Sequence, residues 1–258
     1  MTENNALNIV AIIPARMGSS RFPGKPMAEI AGTPMIGHVF QRVAKSSLLS
    51  GVYVATCDTV IEEYIHSIGG QAIMTSDSHE RCSDRCAEAM LKIESETGKK
   101  IDIVVMVQGD EPMVHPDMID EAVRPMIQDP EIPVINLVSD ISDEAEFEDP
   151  NEVKVVCDLS GNALYFSREA IPSRKKGASR VPMLKQVCII PFQRDFLLRF
   201  NELEPTPLEI IESVDMMRCL EHGYPVKMIP TNHPMKSVDT PEDLADVLEA
   251  WKTLEVLQ

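Results

Sequence analysis

Residues Ile9–Pro26 read IVAIIPARMGSSRFPGKP. The β-branched run Ile9–Ile13 has the length and composition of a fully buried strand, and it stops at Pro14. Behind it, Arg16, Gly18, Ser19, Ser20, Arg21, Gly24 and Lys25 fall within ten positions. Glycines let backbone N–H groups approach oxyanions, hydroxyls donate to them and cations neutralise them. A first strand emptying into such a loop points to an anion site, best matched by a nucleoside triphosphate. The alternative is a surface loop whose charges are merely solvated.

Spacing rules out two familiar phosphate fingerprints. A P-loop needs four residues between its first glycine and the Gly-Lys, then Ser or Thr. Here five residues separate Gly18 from Gly24, and Pro26 follows Lys25. No G-x-G-x-x-G dinucleotide motif is present either.

Outward from this loop, short apolar runs alternate with helical patterns. Strands are predicted at Ile9–Ile13, Val52–Ala55, Gln71–Met74, Ile103–Val107 and Val134–Leu137. Helices are predicted at Met35–Ala44, Val60–Ser67, Glu80–Glu94 and Pro116–Met126. Such alternation builds a mostly parallel α/β sheet covered on both faces, with its site at the C-terminal strand ends. Thr33-Pro34, Thr206-Pro207 and Thr240-Pro241 each read as a hydroxyl N-cap followed by proline at the first helical position. Thr206 and Glu209 also satisfy the capping-box spacing, and the following helix carries Leu208, Ile211 and Arg218 along one side.

After Ser139 the pattern changes. Ser139–Asn151 reads as an acidic, solvated connector. Glu152–Cys157 and Ala163–Phe166 read as a hairpin around Asp158–Gly161. Ser173–Arg180 is a basic island carrying Arg174, Lys175, Lys176 and Arg180, either functional or simply a solvated loop.

The 258 residues carry a formal net charge of -17. That charge argues against a general binder of nucleic acid or anionic membranes, so phosphate chemistry needs a local positive pocket. The six cysteines form no C-x-x-C pair, and Cys82 with Cys86 lacks a second ligand pair for zinc. Reduced cytosolic thiols are the better reading. The N-terminal MTENNALN has no secretory signature, and no run reaches the ~20 apolar residues of a membrane span.

Two carboxylate motifs complement the loop. Val107-Gln108-Gly109-Asp110-Glu111-Pro112 follows the most strand-like run and places Asp110 just past the strand end, where a carboxylate can hold Mg²⁺ against phosphate. The alternative is a turn aspartate beside Gly109. Gln108 can bond a base or sugar edge. Val238-Asp239-Thr240-Pro241-Glu242-Asp243 places Asp239 before a helix, a weak signal alone because carboxylates favour helix starts for dipole reasons. His79 beside Glu80 is a general-base candidate, though a structural or nucleotide-near role suits it better. Met216 and Met217 read as core filling.

Together these stretches resemble the cytidylyltransferases that activate 3-deoxy-manno-octulosonate (Kdo) as its CMP derivative. The resemblance rests on Pro14–Pro26, Val107–Pro112, Asn151–Val156, Ala163–Arg168, Ile171-Pro172, Pro207–Glu209 and Val238–Leu244, in the family order and over nearly the full length. It implies a Rossmann-like, mostly parallel twisted sheet of the nucleotide-diphospho-sugar transferase type, with an inserted β-rich dimerisation region. It implies one cytidylyltransferase domain over 1–258. Within it, 1–138 would be the CTP-binding half, 139–200 the inserted acceptor and dimerisation region, and 201–258 the C-terminal helices with the second metal carboxylate.

The resemblance also implies roles. Ala15, Arg16, Gly18, Ser19, Ser20, Arg21 and Lys25 would hold CTP, with Arg85 and Gln108 near the cytidine. Asp110 and Asp239 would bind Mg²⁺ together, and Lys25, Arg16, Asp110 and Asp239 would carry catalysis. Arg168, Gln186 and Asp215 would face the acceptor acid. A cytoplasmic homodimer acting in lipopolysaccharide biosynthesis, with no nucleic-acid or membrane partner, is the corresponding expectation.

Departures from the family pattern bear on the nucleotide and the acceptor. Cys82 stands where the family usually has Gly, and Arg81 adds a charge nearby. Gln186, Ile190 and Met216 stand where it carries His, Tyr and Gln, and Asp215 replaces a Glu. A site built to bond sugar hydroxyls does not lose such groups without cost. Kdo is the default acceptor; another 2-keto sugar acid or a phosphonate carboxylate is the alternative, and a non-catalytic nucleotide-binding module is a third reading.

Overall fold

The computed structural model describes residues 7–19, 21–178 and 180–255. The chain divides into two compact units, one made of 1–120 with 234–258 and the other of 121–233.

In the first unit, β1 (Ile9–Pro14) is buried at every position. The phosphate-loop candidate follows and ends in a 3₁₀ turn at Lys25–Met27. Then come the small hairpin β2 (Glu29–Ile30) and β3 (Thr33–Pro34), α1 (Met35–Val43), β4 (Gly51–Thr56), α2 (Thr59–Ser67), β5 (Gln71–Met74), α3 (Cys82–Thr97), β6 (Ile103–Val107) and α4 (Pro116–Gln128), whose later residues belong to the second unit. β1 lies between β6 and β4, and β5 pairs with β4, all in parallel. Parallel pairing sends the C-terminal ends of β1, β4 and β6 to one edge of the sheet. The alternation read from sequence is therefore an α/β parallel sheet for its first four strands, whereas the fifth, expected at Val134–Leu137, lies in the second unit and pairs antiparallel with another strand there.

In the second unit, β7 (Ile135–Asp140), α5 (Glu144–Glu148), β8 (Lys154–Cys157), β9 (Ala163–Ser167), β10 (Leu184–Val187), β11 (Ile189–Gln193), α6 (Arg194–Glu202), α7 (Pro207–Glu212), α8 (Met216–Glu221) and β12 (Lys227–Pro230) follow in order. A mixed sheet runs β12-β7-β10-β8-β9, and β8 with β9 is the expected antiparallel hairpin. The chain returns to the first unit with α9 (Pro241–Glu255).

Three local readings change. Thr33 does not cap α1: it lies in β3, and the first helical N–H, from Met35, donates to the Ala28 carbonyl at 2.8 Å. Pro34, not Thr33, stands at the N-cap, and no side chain caps this helix. The acidic stretch after Ser139 is not plain connector. It finishes β7 and forms α5, where the Asp143 carboxylate caps the Ala145 N–H at 2.9 Å and Phe147 is fully buried. The helix expected from Pro207 breaks in two because Ser213 takes a left-handed conformation (φ 53°).

Candidate active site

The site grows from the C-terminal edge of the first unit's sheet. At the end of β1, the Ala15 N–H donates to the Ala55 carbonyl at 2.9 Å, tying the loop's first residue to β4. Beyond β6, Gly109 packs so closely that a Cβ there would lie 2.9 Å from the Pro14 carbonyl oxygen. Glycine is required, and the close approach carries Asp110 toward the loop. The Val238 N–H donates to the Asp110 carbonyl at 3.0 Å, which brings Asp239 to the same place from 129 positions along the chain.

Asp239 is itself held firmly. The Asp243 carboxylate accepts both the Asp239 N–H (2.9 Å) and the Thr240 N–H (2.8 Å), while the Thr240 hydroxyl accepts the Asp243 N–H (3.2 Å). This is a capping box at the start of α9, with Asp in the usual Glu position. Val247 and Trp251 of α9 pack with Ile30, Met35 and Val238, and Phe22 of the loop packs against that cluster.

Lys25 stands at the centre. Gly24 adopts a left-handed conformation (φ 77°) and opens the turn that carries Lys25. The Lys25 ammonium donates to Asp110 Oδ2 at 2.7 Å and to Asp239 Oδ1 at 3.2 Å. Arg21 donates to the same Asp239 oxygen at 3.0 Å. Burial by itself would lower the Lys25 pKa, but the Asp110 carboxylate, seconded by Asp239, outweighs it and the net shift is upward. Lys25 is thus a fixed positive charge between two carboxylates.

The other candidates are placed around this centre or apart from it. Arg16 is exposed and reaches the His79 carbonyl at 3.4 Å. Ser19 Oγ accepts the Phe22 N–H at 3.2 Å. Gly18 is exposed, and a Cβ there would meet nothing within 4 Å. Ser20 lies outside the described residues. Arg85 is buried, donates to the Thr75 hydroxyl and keeps a buried Nη2 without a hydrogen-bond partner among the described residues. Gln108 Oε1 accepts the Cys82 thiol at 3.5 Å. Arg81 forms a two-point pair with Asp84, both bonds 2.9 Å, which neutralises its charge.

The acceptor candidates belong to the second unit. Arg168 spends its guanidinium on backbone, donating to the carbonyls of Glu212 (2.7 Å), Pro150 (2.8 Å) and Ser213 (3.1 Å). The bonds to Glu212 and Ser213 hold the left-handed break between α7 and α8. Gln186 donates to buried Asn136, and Asp215 begins α8. Ile190 and Met216 are buried. In the basic island, Arg174 pairs with Glu144 and Glu148 and covers the Phe147 ring at 4.9 Å, whereas Lys175, Lys176 and Arg180 are exposed.

Sequence reading missed three supporting groups. Asp243 was visible as the last residue of a Thr-Pro-Glu-Asp capping signal. Glu88, paired with His79 and Lys92, carried no local signal. Lys154 is fully buried and donates to the carbonyls of Asp149, Glu152 and Arg168 at 2.6 Å each; burial lowers its pKa.

Residues 10–231 match the family described as cytidylyltransferase. The 3-deoxy-manno-octulosonate cytidylyltransferase of Geobacter metallireducens is 43% identical over 260 residues, covering 97% of this chain and 100% of that protein. The enzyme of the same description from Syntrophus aciditrophicus is 45% identical over 239 residues, covering 93% and 95%. The solved structure of a CMP:2-keto-3-deoxy-manno-octonic acid synthetase complexed with CTP matches with a TM-score of 0.87 at 37% identity, covering 95% of this chain and 99% of that one.

Proposed function

The chain belongs to the cytidylyltransferase family and is a CTP-dependent nucleotidyltransferase; on that premise we propose that it transfers CMP from CTP to 3-deoxy-manno-octulosonate and releases pyrophosphate at the site around Lys25, Asp110 and Asp239. The observation that carries this reading is the convergence of both carboxylates on one ammonium at the end of the phosphate loop. The names and coverage of the relatives support the donor and the acceptor.

The donor set fits Mg²⁺. Two hard carboxylate oxygens already converge on a single cation, as magnesium held between protein and phosphate requires. Asp110 and Asp239 would hold the ion, which when bound neutralises phosphate oxygens and stabilises charge developing in transfer. Lys25, kept protonated by its two carboxylates, donates to a phosphate oxygen of CTP. Arg21 and exposed Arg16 offset the charge of the departing pyrophosphate. Arg85 and Gln108 face the cytidine. The acceptor hydroxyl attacks the α-phosphorus in line, and the bond to pyrophosphate breaks. Gln186 and Asp215 orient the acceptor acid, while Arg168, its guanidinium committed to three backbone carbonyls, acts by holding the break between α7 and α8.

Two further parts of the reading have separate support. The second unit exposes Leu164, Ile210 and Ile211 at 61%, 69% and 74%, apolar surface of the kind a homodimer covers. The free cysteines fit a reducing cytoplasm, and among the described residues no helix is long and apolar enough to cross a membrane. A place in lipopolysaccharide biosynthesis follows from the acceptor. Ile190 and Met216, apolar and buried, favour a second reading, in which the same transfer serves another 2-keto sugar acid or a phosphonate carboxylate.

Pyrophosphate release with CTP and Mg²⁺ over a panel of Kdo, other 2-keto sugar acids and phosphonates tests both readings. Release with Kdo supports the first. Release with another acid alone replaces the acceptor, and no release with any acceptor removes catalysis.

A further inference from the structure

Asp58 occupies the N-cap position of α2, where a carboxylate ordinarily accepts a bond from its own helix. It makes no such bond. Its Oδ2 turns instead to the phosphate loop and accepts the Met17 N–H at 2.8 Å, with the Cys57 thiol at 3.7 Å on the same oxygen. The helix start is served by backbone: the Asp58 carbonyl accepts the N–H groups of Ile61 (3.1 Å) and Glu62 (3.2 Å). Asp58 is also held from behind, because its own N–H donates to Oγ1 of fully buried Thr56 at 3.1 Å.

Met17 relays this anchor. While its N–H is fixed by Asp58, its carbonyl accepts the Gly24 N–H at 3.0 Å. That bond closes the loop on itself, and Gly24, left-handed at φ 77°, opens the turn bearing Lys25. A continuous path of short bonds therefore runs from Asp58 through Met17 and Gly24 to the residue that meets Asp110 and Asp239. By charge alone, a carboxylate beside an anion-binding loop opposes the anion. What Asp58 contributes is geometry: it gives up a helix cap in order to hold a peptide of the loop.

We propose that Asp58 is a positioning residue of the nucleotide site, pinning the phosphate loop through the Met17 N–H so that Lys25 is presented to CTP, without itself touching the nucleotide. This rests on the reading of the loop as the CTP grip. Sub-ångström placement governs phosphoryl chemistry, so a loosened loop is read first in CTP binding.

Steady-state kinetics with CTP and Kdo varied separately test it on Asp58→Ala and Asp58→Asn, with Lys25→Ala in parallel. Asp58→Ala raises KM for CTP about tenfold or more while KM for Kdo stays within about twofold. Asp58→Asn keeps an oxygen acceptor and recovers most of the CTP affinity. A role in folding alone would lower the active fraction, and so kcat, without dividing the two KM values. An unchanged CTP KM in Asp58→Ala, an equal rise in both KM values, or an Asn variant no better than Ala overturns the proposal. Should the Ala variant fold poorly, Asp58→Glu shifts the same acceptor by one methylene and is expected to raise the CTP KM selectively; no such rise counts against it. If Lys25→Ala leaves CTP kinetics intact, the loop reading itself fails. If Lys25→Ala is impaired and Asp58→Ala is not, only the role of Asp58 fails.

Discussion

The Lys25 ammonium lies 2.7 Å from Asp110 Oδ2 and 3.2 Å from Asp239 Oδ1, between the two carboxylates proposed to hold a divalent ion. The carboxylate pair is therefore neutralised from within the protein. On the proposed reading, a metal ion competes with this ammonium for the same oxygens, and the phosphates of CTP would offer Lys25 and Arg21 other partners. In nucleotide-free protein, Lys25→Gln is expected to tighten Mn²⁺ binding by about tenfold or more, the scale of one lost competing charge pair. The same variant should lose most turnover. Titration calorimetry or the Mn²⁺ resonance signal checks the binding; equal affinity in both proteins would show that the ammonium does not guard the site.

Asp110→Asn should abolish turnover with little loss of fold. The substitution removes charge but keeps shape, and the backbone bond from the Val238 N–H to the Asp110 carbonyl does not depend on the side chain. Loss of a group acting on the reacting phosphates costs on the order of 10²–10³ in rate or more. Pyrophosphate release and a melting curve, taken together, separate the two effects. Near-normal release would remove Asp110 from the chemistry.

How much of this was legible depended on whether the controlling interaction was local. β1 and its loop could be read because burial and charge alternate abruptly at Pro14. Asp110 could be read because it follows an unbroken apolar run. Asp239 could not be paired with it by spacing, since their meeting depends on one backbone bond from Val238 and on the cap built by Asp243. The break at Ser213 escaped the helical pattern because no glycine marks it. Arg168, distant in sequence, holds it by donating to the carbonyls of Glu212 and Ser213. Phe147 and Ile141, the two large apolar residues of an acidic stretch, were too sparse a signal for the helix that Phe147 anchors.

In the second unit, Arg218 and Glu209 form a buried two-point pair, with the guanidinium 5.2 Å from the Phe200 ring. Glu209→Ala leaves a charge without its counterion and is expected to cost about 3–5 kcal/mol. The combined change Glu209→Leu with Arg218→Met removes both charges and should cost far less, because no ion is stranded. Denaturant unfolding of the three proteins measures the difference. A double variant as unstable as the single one would show that the pair is worth more than its desolvation.

Glu88 supplies a prediction about acid. Burial by itself would raise its carboxyl, but the Lys92 ammonium, the Ser76 N–H and the His79 ring hold it down at about 2 from an ordinary 4.5. The carboxylate is thus bound more tightly by the fold than by the unfolded chain. A carboxyl depressed in the folded state stabilises fully above its unfolded value, and that contribution fades as pH falls from about 4.5 toward about 2. Glu88→Gln removes the titration. Melting temperatures of variant and parent should differ most above pH ~5 and converge near pH ~2. A gap of constant size across that range would mean that the Glu88 charge contributes nothing, and that the variant loses only packing and hydrogen bonds.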